Sequence, residues 1–133
     1  QATVLGLLTA EPQVIGVVHG GTVMLQLEAG PTAAAKLHVV LGSLTGVSPG
    51  VPIDGPTLPL VPDAYFALTL SGNSPVANAV GLLDDQGAAS ASLSVGPLSA
   101  NFVGLVAQHA AVILDPVTLA ITDVSNPVAV PFI

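Results

Sequence analysis

The chain has no cysteine and no tryptophan, and its 133 residues include a single basic side chain, Lys36. Without thiols there is no disulfide and no thiolate chemistry. One cation against eight acids leaves a net charge of −7. Nucleic-acid binding depends on several Lys or Arg displacing counterions from phosphates, so that function is excluded. Attraction to anionic lipid fails for the same reason. Aromatic residues make up 3%, too few for the ring platforms that carbohydrate clefts use. No run approaches the roughly 20 apolar residues that span a bilayer. The longest, near Val103–Leu114, is interrupted by Gln108 and His109. Charge itself is scarce, at 7% of residues against about 25% in an average soluble domain.

What is present is apolar and punctuated. Apolar residues make up 51%, so the chain can fold, yet it has little charge with which to cover its surface. Twelve prolines and fourteen glycines divide it into short runs rich in Val, Leu, Ile and Thr. Its length suits one core. Short strands between frequent turns predict a single-domain, all-β antiparallel β-sandwich over residues 1–133, immunoglobulin-like or jelly-roll-like, with little or no helix.

Alternation predicts which faces turn inward. Val23, Leu25 and Leu27 oppose Thr22, Gln26 and Glu28. Leu37, Val39 and Leu41 oppose Lys36 and His38. Phe66, Leu68 and Leu70 oppose Tyr65, Ala67 and Thr69. Ala89, Ala91, Leu93 and Val95 oppose Ser90, Ser92 and Ser94. Thr3–Leu8, Gln13–Val18, Val103–Ala107, Ala110–Leu114 and Val128–Ile133 are apolar on both faces, which marks central or covered strands. Gly20-Gly21, Gly30-Pro31, Asp85-Gln86-Gly87 and Gly96-Pro97 read as turns. Residues 46–63 hold five prolines and read as an extended connection between the two sheets.

Several of these stretches resemble a known domain. Leu83-Asp84-Asp85-Gln86-Gly87 leads into the small-residue strand. Gly104–Ala110 carries Gln108 and His109, and Ser125-Asn126-Pro127 opens the closing strand. Over about residues 49–131 the pattern is similar to a domain of secreted proteins from planctomycete-type bacteria. The resemblance implies an exported β-sandwich and brings no catalytic residues with it.

Candidate chemistry is thin. Gly46-Val47-Ser48-Pro49-Gly50 matches the G-x-S-x-G nucleophile elbow. The residue after the serine must supply a backbone N–H, and Pro49 has none. His19, His38 and His109 lack metal-ligand spacing. They read as two surface histidines and one that is hydrogen-bonded or at an interface. Asp84 and Asp85 are weak calcium candidates, since calcium takes six to eight oxygens and needs further acids such as Asp54, Asp63, Asp115 or Asp123 to converge. Lys36 with Glu28 is a further candidate, for an isopeptide crosslink. No catalytic residue, cofactor or enzymatic activity is expected.

The expected function is therefore structural. A surface short of charge invites copies of the same chain, giving a filament or surface layer. Expected contact residues are Thr3, Val4, Leu5, Leu7 and Leu8 in an N-terminal strand (residues 1–10, donated to a neighbour or lying at an edge), with Val128, Val130 and Phe132 near the other end. The Ser90–Ser94 face is a further contact surface. The alternative is a monomeric cell-surface binding or adhesion module with a loop-borne ligand or calcium site. A chain headed by Gln1, with Met24 as its only methionine, suggests signal-peptide removal and a secreted or cell-surface location.

Overall fold

The computed structural model describes residues 3–47, 50–52, 57–71 and 76–133. Eleven strands are present among them: β1 (Thr3–Glu11), β2 (Gly21–Glu28), β3 (Leu37–Ser43), β4 (Val51–Pro52), β5 (Thr57–Leu58), β6 (Val76–Ala77), β7 (Val80–Leu82), β8 (Ala88–Val95), β9 (Val106–Leu114), β10 (Ile121–Ser125) and β11 (Val128–Pro131). One α-helix, α1 (Ala64–Leu70), lies between β5 and β6.

The strands form an all-β sandwich whose two sheets share β1. The first half of β1 runs parallel to β10, with Thr3 opposite Asp123. Its second half runs antiparallel to β2, with Leu8 opposite Leu27. One sheet thus reads β1-β2-β8-β6 and the other β1-β10-β9-β3-β7, with β11 also on β9. This pairing is that of an immunoglobulin-like sandwich. Where β1 leaves β10, a gap of about 360 Å³ opens beside Leu8, Asn126 and Val128. Asn126 bridges it: its Oδ1 accepts from the Leu8 N–H at 2.8 Å, and its Nδ2 donates to the Leu8 carbonyl at 3.0 Å.

The expected alternation of β2 and β8 holds. Val23, Leu25, Leu27, Ala91 and Leu93 are buried between the sheets. The turn before β8 is closed by Asp84, whose carboxylate accepts from the Gln86 and Ala88 N–H groups. Gly87 sits there at φ 73°, where a Cβ would collide with the Gly30 carbonyl oxygen, so only glycine fits.

Two expectations need correction. Residues 64–70 form α1 rather than a strand. Asp63 caps the helix, its Oδ1 accepting from the Phe66 N–H at 2.8 Å. The apparent alternation of Phe66, Leu68 and Leu70 was accidental: in the helix Phe66 and Leu70, four residues apart, share one face and Leu68 points to another. In β3 the inward face is His38 and Val40, not Leu37, Val39 and Leu41. β3 is apolar on both faces, and its pairing with β9, His38 opposite Ile113 and Gly42 opposite His109, selects the buried one.

The described part of the proline-rich connection also folds differently from a simple crossover. β4 and β5 pair as a small hairpin. Leu58 and Leu60 then bury themselves on the outside of the second sheet, against Leu41, Val112 and Val124.

Candidate functional site

The two outer faces of the sandwich differ in chemistry. Outside the first sheet lie Thr22, Gln26 and Glu28 of β2 with Ser90 and Ser94 of β8, all exposed. They form a hydroxyl-rich ladder: the Ser90 hydroxyl donates to Gln26 Oε1 at 2.8 Å, and Thr22 and Ser94 share a bond of 3.1 Å. Outside the second sheet the same positions are apolar. Val39 and Leu41 of β3, Val112 and Leu114 of β9 and Ile121 of β10 line a groove of about 260 Å³. Phe66 and Leu70 of α1 form one wall and Leu58 closes an end. No polar side chain lines it. The apolar surface continues onto the edge strand, because Val80 of β7 pairs with Val39 and Leu82 with Leu37. Val80 and Leu82 are 64% and 63% exposed.

α1 also walls a second apolar groove, of about 180 Å³, at the mouth of the sandwich. Tyr65 and Leu68 meet Leu44, Leu93, Phe102 and Phe132 there. The helix is tied down by polar contacts. Thr69 accepts the Gly42 N–H through its hydroxyl at 3.1 Å. One Asp63 oxygen accepts from the Leu44 N–H and the Ser43 and Thr45 hydroxyls. Burial alone would push the Asp63 carboxyl up, but these donors and the Phe66 N–H outweigh it and hold it below the usual range.

The third tie is buried. The Tyr65 hydroxyl and His109 Nε2 share a hydrogen bond of 2.6 Å, with the rings edge to face. Gly42 makes room for it. A Cβ at residue 42 would collide with the Tyr65 ring and lie 2.9 Å from His109 Nε2. Burial lowers the His109 pKa to about 4 and pushes the Tyr65 phenol well above its ordinary value, the Asp63 charge adding to the latter. His109 Nδ1 has no hydrogen-bond partner among the described residues. Tyr65→Phe keeps the ring and leaves both imidazole nitrogens unpartnered. It is expected to cost about 1–3 kcal/mol of stability, read as a lowered urea midpoint by circular dichroism. An unchanged midpoint contradicts this role.

The histidines therefore differ from expectation. His19 is exposed, but His38 is buried with His109 between the sheets. Burial lowers the His38 pKa, partly offset by the Ala79 backbone, and its Nδ1 is likewise unpartnered among the described residues. No three His, Asp or Glu side chains gather as a metal site among the described residues. Asp84 is committed to its turn and Asp63 to α1. Asp115 closes the β9–β10 turn, accepting from the Val117 and Thr118 N–H groups. Asp123 is buried. Ser48 and Asp54 fall outside the described residues.

Lys36 points away from Glu28. Its Nζ donates to Thr122 Oγ1 at 3.3 Å, and that hydroxyl lies 3.0 Å from Asp123 Oδ2. Glu28 is exposed on the other sheet.

Among the expected contact residues, Leu8, Val130 and Phe132 are core side chains, and Val128 packs half-buried against them. All three core residues are largely covered by their own chain, with Phe132 also lining the groove at the mouth of the sandwich. Apolarity on both faces marked interior strands there. For Thr3, Val4, Leu5 and Leu7 the structure describes the backbone alone, paired within its own chain. The groove outside β3, β9 and β10 was missed. Its signal was the second apolar face of β3 and β9, readable only once the register was known.

No helix among the described residues is long and apolar enough to cross a membrane. The fold defines an immunoglobulin-like sandwich domain with one polar and one apolar outer face. No protein-family model matches the chain, and no curated protein matches it.

Proposed function

We propose that this chain is an exported, non-enzymatic structural subunit that associates with copies of itself through the apolar outer face of the β10-β9-β3-β7 sheet. The contrast between the two outer faces carries the reading. One sandwich clothes one sheet mainly in Ser, Thr, Gln and Glu, with Met24 among them, and the other mainly in Val, Leu and Ile, of which Leu41 and Val112 are covered by the chain's own Leu58 and Leu60. Contiguous apolar surface rimmed by polar residues marks an interaction site. Removing it from water is worth about 25 cal/mol per Å² before the costs of association. The net charge of −7 opposes close approach of copies, so association strengthens as salt screens it.

Leu70→Glu with Ile121→Glu places two carboxylates on the groove. The pair is expected to weaken association at least tenfold, with light scattering giving a lower weight-average mass than the wild type at the same concentration. Ser94→Glu, on the polar face, should leave association intact. Equal loss in both variants would mean that net charge, not this face, governs it.

A second reading rests on the apolar groove of about 180 Å³ at the mouth of the sandwich, smaller than most small-molecule pockets but large enough for one apolar side chain or ligand group. It makes the chain a monomeric binding or adhesion module. That reading requires a monomer at every concentration.

A further inference from the structure

The apolar face ends on β7, and β7 is an edge. Among the described residues only β3 pairs with it, over Val80–Val39, Gly81–His38 and Leu82–Leu37. Edge strands are ordinarily guarded by Lys, Pro, a bulge or a covering loop. Between Ala79 and Leu83 there is no charge and no proline. Ala79 and Leu83 are buried inward, while Val80 and Leu82 stand exposed. The other end of the sandwich differs: β6 has two residues, and Val76 is buried.

We infer that a second copy of this chain pairs with β7, antiparallel and two-fold symmetric about Gly81, so that the sheets of the two copies join. The inference rests on the self-association proposed above and names its first contact. A two-fold at Gly81 sets Val80 of each copy directly opposite Leu82 of the other, making two apolar cross-strand pairs on the outer face. Gly81 itself points no side chain at the join.

Charge decides the direction. Asp84 and Asp85 follow β7 after one residue, Leu83. Parallel pairing would set the two Asp84 side chains about 4.8 Å apart, one strand spacing. Antiparallel pairing moves them six residues apart along the join, about 20 Å, beyond the roughly 8 Å Debye length at physiological salt. Each Asp84 then faces the end where the other copy carries the neutral Asn78. An isologous contact of this kind closes as a dimer, so growth beyond two copies falls to the groove itself.

The test uses sedimentation and cysteine pairing on the full chain. Wild type is expected to sediment as dimers at tens of micromolar. Val80→Lys with Leu82→Lys restores the usual edge guard and should weaken dimerisation at least tenfold, with the circular dichroism melt retained. Because the chain has no cysteine, single-cysteine variants read the register. A mixture of Val80→Cys and Leu82→Cys should form a mixed disulfide dimer on mild oxidation, while Val80→Cys alone should not. Dimers that persist in the lysine variant but vanish with Leu70→Glu and Ile121→Glu overturn the β7 join and leave the apolar-face proposal standing. Crosslinking of Val80→Cys to itself overturns the antiparallel register. A wild type that is monomeric throughout overturns both.

Discussion

Gly42→Val is expected to cost about 3 kcal/mol of stability and to unseat α1. The glycine lies at the one point of β3 where the helix reaches into the sandwich. Its N–H donates to the Thr69 hydroxyl, and the space above its Cα holds the Tyr65 ring and the His109 imidazole. A side chain there meets two rings that cannot both retreat. Overpacking of this kind costs about 1–3 kcal/mol, and breaking the Tyr65–His109 bond in a buried site adds about 1–3 more. The change should also be visible without denaturant. Tyr65 is the only tyrosine and there is no tryptophan, so intrinsic emission reports on this ring alone. Expected are a shifted tyrosine signal and faster amide exchange over residues 64–71, with β2 and β8 protected as before. Wild-type stability and an unchanged tyrosine signal would contradict the placement of the helix.

Acidification from pH 7.5 to 5 is expected to remove about 2 kcal/mol of stability through His109 alone. The folded imidazole has its pKa lowered from 6.5 to about 4. Between those values the unfolded chain binds a proton that the folded chain refuses. Stability is therefore complete above about pH 7, falls as the pH drops through 6.5, and levels off near the folded value. His38, also lowered by burial, adds to the fall with the same sign. Stopping at pH 5 stays above the ordinary carboxylate range, so the capping of α1 by Asp63 is not yet at issue. Urea unfolding at both pH values, in wild type and in His109→Gln, checks this. The glutamine keeps a polar partner for Tyr65 and does not titrate, so the pH difference should shrink by the His109 share. An identical pH difference in both proteins would contradict the buried, neutral imidazole.

Much of the sandwich was legible from residue order. Strands with one polar face, β2 and β8, could be oriented from alternation because only one register buries Val23, Leu25 and Leu93 and leaves the serines wet. Strands with two apolar faces could be recognised but not oriented. β3 shows why: Leu37, Val39 and Leu41 look like the better core set, yet the structure sends His38 and Val40 inward. Only the partner strand decides, and which strand pairs with which is non-local information. The helix was missed for a local reason. Its apolar residues happen to alternate, and the stronger signal was Asp63 after Pro62, a helix-capping residue leading seven residues free of Gly and Pro. The groove inherits both difficulties, since its floor is the second face of β3 and β9 and one wall is α1.

The charge-poor composition therefore does not act evenly over the molecule. More of the polarity clothes the outside of one sheet, and the other carries an apolar groove that runs out, among the described residues, to an uncharged edge. The most direct measurement of what that asymmetry does is the mass of the purified full chain by light scattering, from about 1 to 200 µM at physiological salt. Self-association predicts a weight-average mass that climbs from 13.0 kDa with concentration, and climbs further as salt is raised. A mass that stays at 13.0 kDa across that whole range would contradict it.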